Sequence, residues 1–314
     1  MAHRTMTARS ALLLFAGAWA ASVVGLAASG LPAADPVVLA AIFGVALPGI
    51  ALAVCRGFEA PPAELPIAGE AGLLASLVLL ITIFLAVKGP LLLLVAPPGS
   101  DPRWQTTANA LVKLGVFVAL PLALYALLLG VGPRALALRW PPGESAAVRR
   151  RSWLAFAIVG AALVAIQLVL GRGARPLLDG SLAGRHWIVG FVLCFLWMSV
   201  EAGLVEEVFF RVILQSRLAA LTNSRGAGLW LGALVFGLAH APGLFLRGGG
   251  VIEGLGASPS PLVATAYAVA TMGVASLVFG ALWMRTRNWL LVVALHGLTD
   301  ALANTPGFMD VWGF

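Results

Sequence analysis

Three apolar segments of the chain carry ionisable side chains in their interiors. The segments read VEEVFFR, LVFGLAHAPG and LVVALHGLTDAL, and a long apolar run, WIVGFVLCFLWM, precedes the first. The ionisable residues are Glu206, Glu207 and Arg211 in the first segment, His240 in the second, and His296 and Asp300 in the third. A charge near the centre of a bilayer costs about 2.5–3.5 kcal/mol on insertion scales, so such residues are paired or functional. The three segments therefore predict a buried polar site.

The spacing in the first segment divides its charges between two roles. Glu207 and Arg211 are four residues apart, so on a helix they face each other and are expected to form an ion pair. Glu206 is rotated about 100° from Glu207 and has no such neighbour. The pattern therefore predicts that Glu207 and Arg211 support the helix, while Glu206 is available for chemistry.

The other two segments supply imidazoles. His296 and Asp300 are again four residues apart, so Asp300 can orient His296 or share a ligand with it. Phe236 precedes His240 by four residues and is expected to lie beside it. With a rise of about 1.5 Å per residue, Glu206, His240 and His296 lie roughly 12–21 Å from one predicted side of the membrane. The three residues are therefore expected to meet in one site.

A carboxylate and two imidazoles are suited to activating water. Glu206 can act as a general base that takes the proton from an attacking water. Alternatively, a bound Zn²⁺ lowers the pKa of its water to about 7, and histidines and carboxylates are among its usual ligands. The predicted zinc ligands would be Glu206, His240, His296 and Asp300. The sequence leaves both mechanisms open.

The composition predicts an all-α, polytopic membrane protein. Of the 314 residues, 61% are hydrophobic and 11% are charged, and the mean hydropathy is +0.98. Soluble domains carry about 25% charged residues. Most of the basic residues behind the net charge of +7 lie in short loops, where they determine orientation. The charge therefore does not indicate a nucleic-acid partner, and membrane lipid is the expected surrounding.

Windows of about 20 apolar residues predict nine transmembrane helices, with eight as the alternative count. They lie near 11–29, 37–55, 72–95, 107–131, 152–171, 187–217, 226–245, 262–285 and 288–303. Arginines are concentrated in the loops that lie on the same side of the membrane as the N-terminus. This distribution predicts a multi-pass protein of the cell (inner) membrane with a cytoplasmic N-terminus. The expected parts are a four-helix part, 1–131, a basic cytoplasmic loop, 132–151, and a C-terminal part, 152–314.

The three motifs together resemble those of a known family. Glu-Glu-x-x-x-Arg, Phe-x-x-x-His and His-x-x-x-Asn/Asp occur in that order over about residues 187–305. The pattern is similar to that of the CAAX-protease and bacteriocin-processing (CPBP) family of intramembrane proteases, whose eukaryotic relative is the Ras-converting CAAX endopeptidase. The resemblance implies a helical membrane fold with a water-filled cavity open to the cytoplasmic side. It also implies an endopeptidase, either a metalloprotease or a glutamate-type protease.

The resemblance assigns a role to each motif residue. Glu206 and His240 would activate the attacking water, while His296 and Asp300 would stabilise the oxyanion or complete a metal site. The supporting roles would fall to Glu207, Arg211 and Phe236. The CAAX endopeptidases carry Asn at the last motif position, where this chain has Asp300. An ionised aspartate accepts hydrogen bonds but cannot donate one to an oxyanion. Asp300 therefore affects the assignment of the mechanism more than the assignment of the family.

A protease would take a peptide or protein substrate, and lipidated, membrane-associated and ordinary peptides all stay open.

Two other classes of protein are compatible with some of these features. A proton-coupled transporter is the second hypothesis, because intramembrane Glu and His residues also relay protons. Against it, the two halves of the chain show no matching pair of broken helices. A non-catalytic scaffold or immunity protein that keeps the fold is the third hypothesis.

Overall fold

A computed structural model describes residues 6–58, 65–140, 145–171, 175–180, 182, 186–248, 255 and 258–314. These residues form helices joined by short connections, and no strand occurs among them. The prediction of an all-α, polytopic protein is confirmed.

Nine long helical segments are present in these ranges, each at a predicted position. They are α1 (Ala8–Ala28), α2 (Ala34–Val54), α3 (Glu70–Val95), α4 (Pro102–Leu129), α5 (Ala146–Leu170), α6 (Trp187–Thr222), α7 (Arg225–Arg247), the bent pair α8 (Pro261–Gly273 and Leu277–Thr286) and α9 (Trp289–Trp312). Helices α1–α7 are long and apolar enough to cross a membrane, and α8, bent by 41°, is an eighth candidate. Helix α9 has the length, but its polar residues His296, Asp300 and Asn304 lower its hydropathy.

Two helix boundaries differ most from the sequence prediction. Helix α5 begins at Ala146, inside the predicted loop 132–151, because the Ser145 side chain accepts a hydrogen bond from the Val148 amide and caps the helix. Helix α9 continues well beyond the predicted end at 303, to the left-handed Gly313 with a φ of 78°. Residues 141–144 of the predicted loop lie outside the described residues.

Helix α6 consists of a lipid-facing half and a buried half. In the first half, Leu196 and Val200 are exposed, as expected for side chains that face lipid. In the second half, every residue from Val205 to Arg217 except Glu206 is buried by other helices. The second half of α6 is therefore the centre of the bundle, and its charges need partners from neighbouring helices.

The turns of α6 are widened on both sides of the two glutamates. π-helical turns occupy Ser199–Leu204 and Val208–Gln215, and regular α-helix remains at Val205–Glu207 between them. Wide turns of this kind are frequent at functional sites, where the additional residue changes the direction of the side chains that follow. The widening thus coincides with the region that the sequence motif marks.

Helices α6 and α9 cross with their backbones in close approach. A Cβ atom added at Gly297 would overlap Ser199, and one added at Gly203 would overlap the carbonyl oxygen of Val293. Small residues permit such approach in membranes, where helix association depends on close packing. The crossing lies one turn from Glu207 on α6 and next to His296 on α9. It therefore determines how far apart the polar side chains of the two helices lie.

A buried ion pair joins the N-terminal part of the protein to α6. Arg217 donates from Nε to Glu70 Oε2 at 2.6 Å and from Nη2 to Glu70 Oε1 at 3.0 Å. Glu70 is the first residue of α3 and also accepts a hydrogen bond from the Ile67 amide. Both charged side chains are buried. The start of α3 is thus fixed to the last turns of α6 by a paired, charge-assisted contact.

Candidate active site

Glu206, Glu207, Arg211, His240, His296 and Asp300 are referred to below as the polar cluster. Glu207 lies at its centre and contacts two of the other side chains. Its Oε2 accepts a hydrogen bond from Arg211 Nε at 3.0 Å, which confirms the predicted ion pair. Its Oε1 accepts a second hydrogen bond from His296 Nδ1 at 2.7 Å. Glu207 is completely buried, so it acts here as a fixed partner and not as a group in contact with water. The second contact was not predicted, because His296 is 89 residues away on another helix.

The Nε2 atom of His296 faces two further carboxylates. Asp300 Oδ2 lies 3.6 Å from this atom, and Glu206 Oε2 lies 4.0 Å from it. Both distances are too long for a direct hydrogen bond, but one water can bridge atoms at such a distance. The side chains of Glu206 and Asp300 are 17% and 34% exposed, whereas Glu207 is 0% exposed. Glu206 and Asp300 are therefore the carboxylates of this cluster that can meet water.

These distances distinguish between the two roles that the sequence left open for Asp300. The group that fixes the His296 ring through its Nδ1 atom is Glu207, not Asp300. Asp300 instead lies on the Nε2 side of the ring, with its backbone carbonyl accepting a hydrogen bond from Asn304 Nδ2 at 2.8 Å. Asp300 therefore shares the open side of the imidazole with Glu206.

His240 is fixed by Phe236, the residue that the spacing placed beside it. His240 Nδ1 lies 2.7 Å from the Phe236 carbonyl oxygen, and the two ring centroids are 4.6 Å apart. Because a carbonyl oxygen only accepts, Nδ1 carries a proton, and Nε2 points away from this contact. His240 is near enough to Glu206 to contribute to its electrostatic surroundings. The three residues of the predicted site thus lie in one cluster.

Aromatic rings support the charged members of the cluster. Phe279 stacks on His296, with ring centroids 5.0 Å apart and an angle of 23° between the planes. The Arg211 guanidinium lies 5.1 Å from the centroid of the Phe236 ring, a cation–π contact. Phe279 gave no signal in the sequence, since a phenylalanine in an apolar helix is indistinguishable from an ordinary core residue.

A further, partly buried ion pair lies beside the cluster and brings in α4. Lys113 Nζ lies 2.8 Å from Glu201 Oε1, which also accepts a hydrogen bond from Asn109 Nδ2 at 2.6 Å. Lys113 acts electrostatically on both Glu206 and Asp300. Lys113 and Glu201 are 88 residues apart, so spacing along the chain could not pair them. The charge at the site is therefore set in part by the N-terminal part of the protein.

The cluster does not form a metal site in its present arrangement. Within the described ranges, no three His, Cys, Asp or Glu side chains converge as ligands of one ion. A catalytic zinc site normally uses three protein ligands. The Nδ1 atoms of His240 and His296 are engaged by the Phe236 carbonyl and by Glu207. Zinc binding therefore stays a prediction.

Comparison with known proteins identifies the part of the chain that carries the cluster. Residues 188–302 match a family model described as type II CAAX prenyl endopeptidase, Rce1-like. The match extends from the start of α6 into α9 and includes every motif residue from Glu206 to Asp300. Comparisons with curated proteins and with solved structures give no match. Residues 188–302, which hold the polar cluster, are therefore similar to the Rce1-like (CPBP) family of CAAX-type membrane proteases.

Proposed function

We propose that this protein is an intramembrane endopeptidase in which Glu206 activates the attacking water. The observation that carries the proposal is the geometry around His296. Glu207 fixes Nδ1 of this ring, so that Nε2 faces Glu206 across 4.0 Å, a distance that one water spans. Glu206 is partly exposed, and its carboxylate is not used to neutralise Arg211. The family match supports peptide-bond hydrolysis as the reaction.

In the proposed reaction, the water oxygen attacks the carbonyl carbon of the scissile peptide bond. Glu206 takes the proton that the water releases, as a general base does. The tetrahedral intermediate then breaks its C–N bond, and the proton passes to the leaving amine. His240 Nε2 accepts a hydrogen bond from the water, and a protonated His296 donates from Nε2 to the oxyanion.

Asp300 acts in this scheme through His296. An ionised Asp300, 3.6 Å from Nε2, stabilises the positive charge on the ring but cannot itself donate to the oxyanion. Asparagine, which the CAAX endopeptidases carry at this position, could donate. We therefore expect Asp300→Asn to retain cleavage, with a changed dependence of kcat on pH.

The substrate is a peptide or protein that reaches the membrane interior. The family name points to prenylated C-terminal motifs, and an unmodified peptide segment is the alternative substrate. In the proposed orientation the N-terminus is cytoplasmic, which places the arginines of the α6–α7 and α8–α9 turns on the inner side.

The test is cleavage of two quenched fluorescent peptide sets, one unmodified and one ending in an S-farnesylated cysteine motif. Glu206→Gln should lower kcat/KM by about 10²–10⁴-fold, the usual contribution of a general base, with no loss of thermal stability. Asp35→Asn, which removes an exposed carboxylate on α2, is the matched control and should cleave as the wild type does. Full cleavage by Glu206→Gln would exclude the proposed mechanism.

Metal analysis of the purified protein tests the direct role of the side chains. If Glu206 and His240 activate water without a metal, the wild type should cleave peptide in the presence of a chelator and contain no stoichiometric zinc. One zinc per chain that is lost in the double variant His240→Ala/His296→Ala, together with chelator-sensitive cleavage, would contradict this mechanism.

A further inference from the structure

The end of the bundle at which α5 begins carries a concentration of arginines. The end of α2, the α4–α5 connection with the first turns of α5, and the α8–α9 turn meet here. These segments are residues 54–64, 131–153 and 283–291. Together they hold eight arginines and three glutamates, hence a net charge of +5. The three glutamates lie outside the described residues. None of these arginines has a role in the proposed reaction.

One apolar cluster holds the three segments together. Phe58, after α2, and Val148, on α5, are buried in it, while Leu138 and Trp289 pack against it from the loop and from the start of α9. The guanidinium carbon of Arg151 lies 6.0 Å from the centroid of the Phe58 ring, so α5 and the end of α2 are also in contact through this arginine. The arginines that neighbour these residues in the chain therefore surround one apolar centre.

Several of the arginines face outwards and have no counter-ion. Arg56, Arg150 and Arg285 are exposed and form no ion pair with another described residue. Arg285 is near enough to Cys55, the neighbour of Arg56, to act on it electrostatically. Arg151 is exposed as well, and these four arginines are called the arginine patch below. Since like charges repel one another, the patch favours an anion from outside the chain.

Tryptophans beside the arginines indicate the surroundings of the patch. Trp140 and Trp153 are 76% and 52% exposed. The Trp140 ring lies 6.2 Å from that of Trp289, which donates from Nε1 to the Arg139 carbonyl at 3.1 Å. Exposed tryptophans are enriched at the two membrane–water interfaces, where the ring contacts lipid and the N–H stays near the headgroups. The patch is therefore expected at the depth of the lipid headgroups.

A headgroup phosphate fits this combination better than an acidic soluble protein does. Guanidinium groups bind phosphate oxygens with two parallel hydrogen bonds, and the phosphate of a neighbouring lipid reaches them without leaving the bilayer. In the predicted orientation this end of the bundle is cytoplasmic. Clusters of about four to eight basic residues next to a membrane helix on that side attract anionic lipids.

We propose that the arginine patch binds the headgroup of an anionic phospholipid, with Trp140 and Trp153 in contact with the adjoining lipid. This lipid binding does not depend on the proposed function, because no candidate catalytic residue takes part in it. Arg56, Arg150 and Arg151 lie outside the family match at 188–302, so the site is formed largely by the part of the chain that the match leaves out.

Lipid binding is measured on the purified protein in neutral detergent micelles, by energy transfer from its tryptophans to a phospholipid with a dansyl-labelled acyl chain. The wild type should bind phosphatidylglycerol at least fivefold more tightly than phosphatidylcholine, whose phosphate is neutralised by its own choline. Raising NaCl from about 0.05 to about 0.5 M should abolish this preference, because salt screens exposed charges. Equal affinity for the two lipids at low salt would overturn the inference.

The double variant Arg150→Gln/Arg285→Gln tests whether the patch is responsible. It should bind phosphatidylglycerol about tenfold more weakly and phosphatidylcholine as the wild type does. Arg9→Gln/Arg175→Gln is the matched control, since it removes two exposed arginines, one on α1 and one on the short helix Arg175–Leu178. Thermal unfolding without lipid should be unchanged in both variants, because the replaced side chains are exposed. An equal loss of affinity in the two variants would assign the preference to net charge alone and overturn the inference.

Competition identifies the source of the anion. Unlabelled phosphatidylglycerol should displace the labelled lipid, whereas inorganic phosphate or a polyglutamate peptide at the same concentration of anionic groups should not. Displacement by inorganic phosphate would make the patch a site for free phosphate. Displacement by the peptide would make it a docking surface for an acidic protein segment. Either result would overturn the assignment to a lipid headgroup.

Discussion

Two buried arginine–carboxylate pairs lie along the second half of α6, and their carboxylates are used differently. Glu70 gives both oxygens to Arg217 and to an amide of its own turn. Glu207 gives one oxygen to Arg211 and the other to His296. The first pair joins two parts of the protein, whereas the second joins an arginine to a candidate catalytic ring.

The arginines of the two pairs differ as well. Arg217 donates from two nitrogens to Glu70 and also reaches the Leu65 carbonyl. Arg211 binds Glu207 through Nε, and its buried Nη2 has no hydrogen-bond partner within the described ranges. A buried donor without a partner costs about 1–3 kcal/mol. The pair at the site is therefore less well satisfied than the pair at the helix end, as expected where an arrangement serves chemistry.

The comparison is tested most strongly by removing one carboxylate charge at a time. Glu207→Gln leaves Arg211 buried without a counter-ion, and breaking such a pair costs about 3–5 kcal/mol of stability. Because His296 also loses its charged partner, cleavage per folded molecule should fall about 10–100-fold. Thermal unfolding and cleavage normalised to the folded fraction measure the two effects separately.

Glu70→Gln is the matched variant for this experiment. It should lower stability by a similar amount, because Arg217 is left buried, but cleavage per folded molecule should stay within about twofold of the wild type. The distinction between the two pairs fails if Glu70→Gln loses as much activity per folded molecule as Glu207→Gln does.

A substitution at the crossing of α6 and α9 should have an effect of intermediate size on stability and cleavage. Gly297→Ala forces the helices apart at Ser199, which should cost about 1–3 kcal/mol and lengthen the Glu207–His296 contact. Cleavage should fall further than stability alone explains, while the Arg217–Glu70 pair stays intact. Gly17→Ala, at an open glycine on α1, should be neutral in both assays. Equal behaviour of the two variants would show that the close crossing does not position the site.

The smallest expected effect is the difference in stability lost when each of the two arginines is replaced by lysine. Lysine keeps the charge but cannot form the paired contact, so Arg217→Lys should cost about 1–3 kcal/mol. Arg211→Lys should cost less, since one hydrogen bond to Glu207 is lost in place of two. Thermal unfolding of both variants measures the difference, and the reverse order would mean that Arg211 is the better satisfied residue after all.

The sequence predicted the elements of this fold more completely than its contacts. Apolar runs are long and local, so the nine helical segments lie at the predicted positions, although only seven of them, or eight with the bent α8, are long and apolar enough to cross a membrane within the described residues. The cap at Ser145 and the length of α9 were not predicted. The Glu207–Arg211 pair was also predictable, because it follows from helical spacing. Contacts between helices were not, since the partners of Glu207, Lys113 and Arg217 lie far away along the chain.

For the candidate site as well, the residues were predictable from the sequence, but the contacts between helices were not. Residue types and motif order predicted which side chains form the cluster, and the structure places Glu206, His240 and His296 together. Which carboxylate orients His296 depends on the crossing at Gly203 and Gly297, and glycines in an apolar helix give no signal of a partner. The choice between Asp300 and Glu207 therefore required the structure.

The ion pairs between the two parts of the protein impose an order on its biogenesis. Glu70 and Lys113 leave the ribosome 147 and 88 residues before their respective partners, Arg217 and Glu201. At about 5–20 residues per second, each charge waits roughly 4–30 s for its counter-ion. During that time Glu70 and Lys113 lack the partners that they have in the folded protein, so the contacts that join α3 and α4 to α6 form only after α6 has been synthesised.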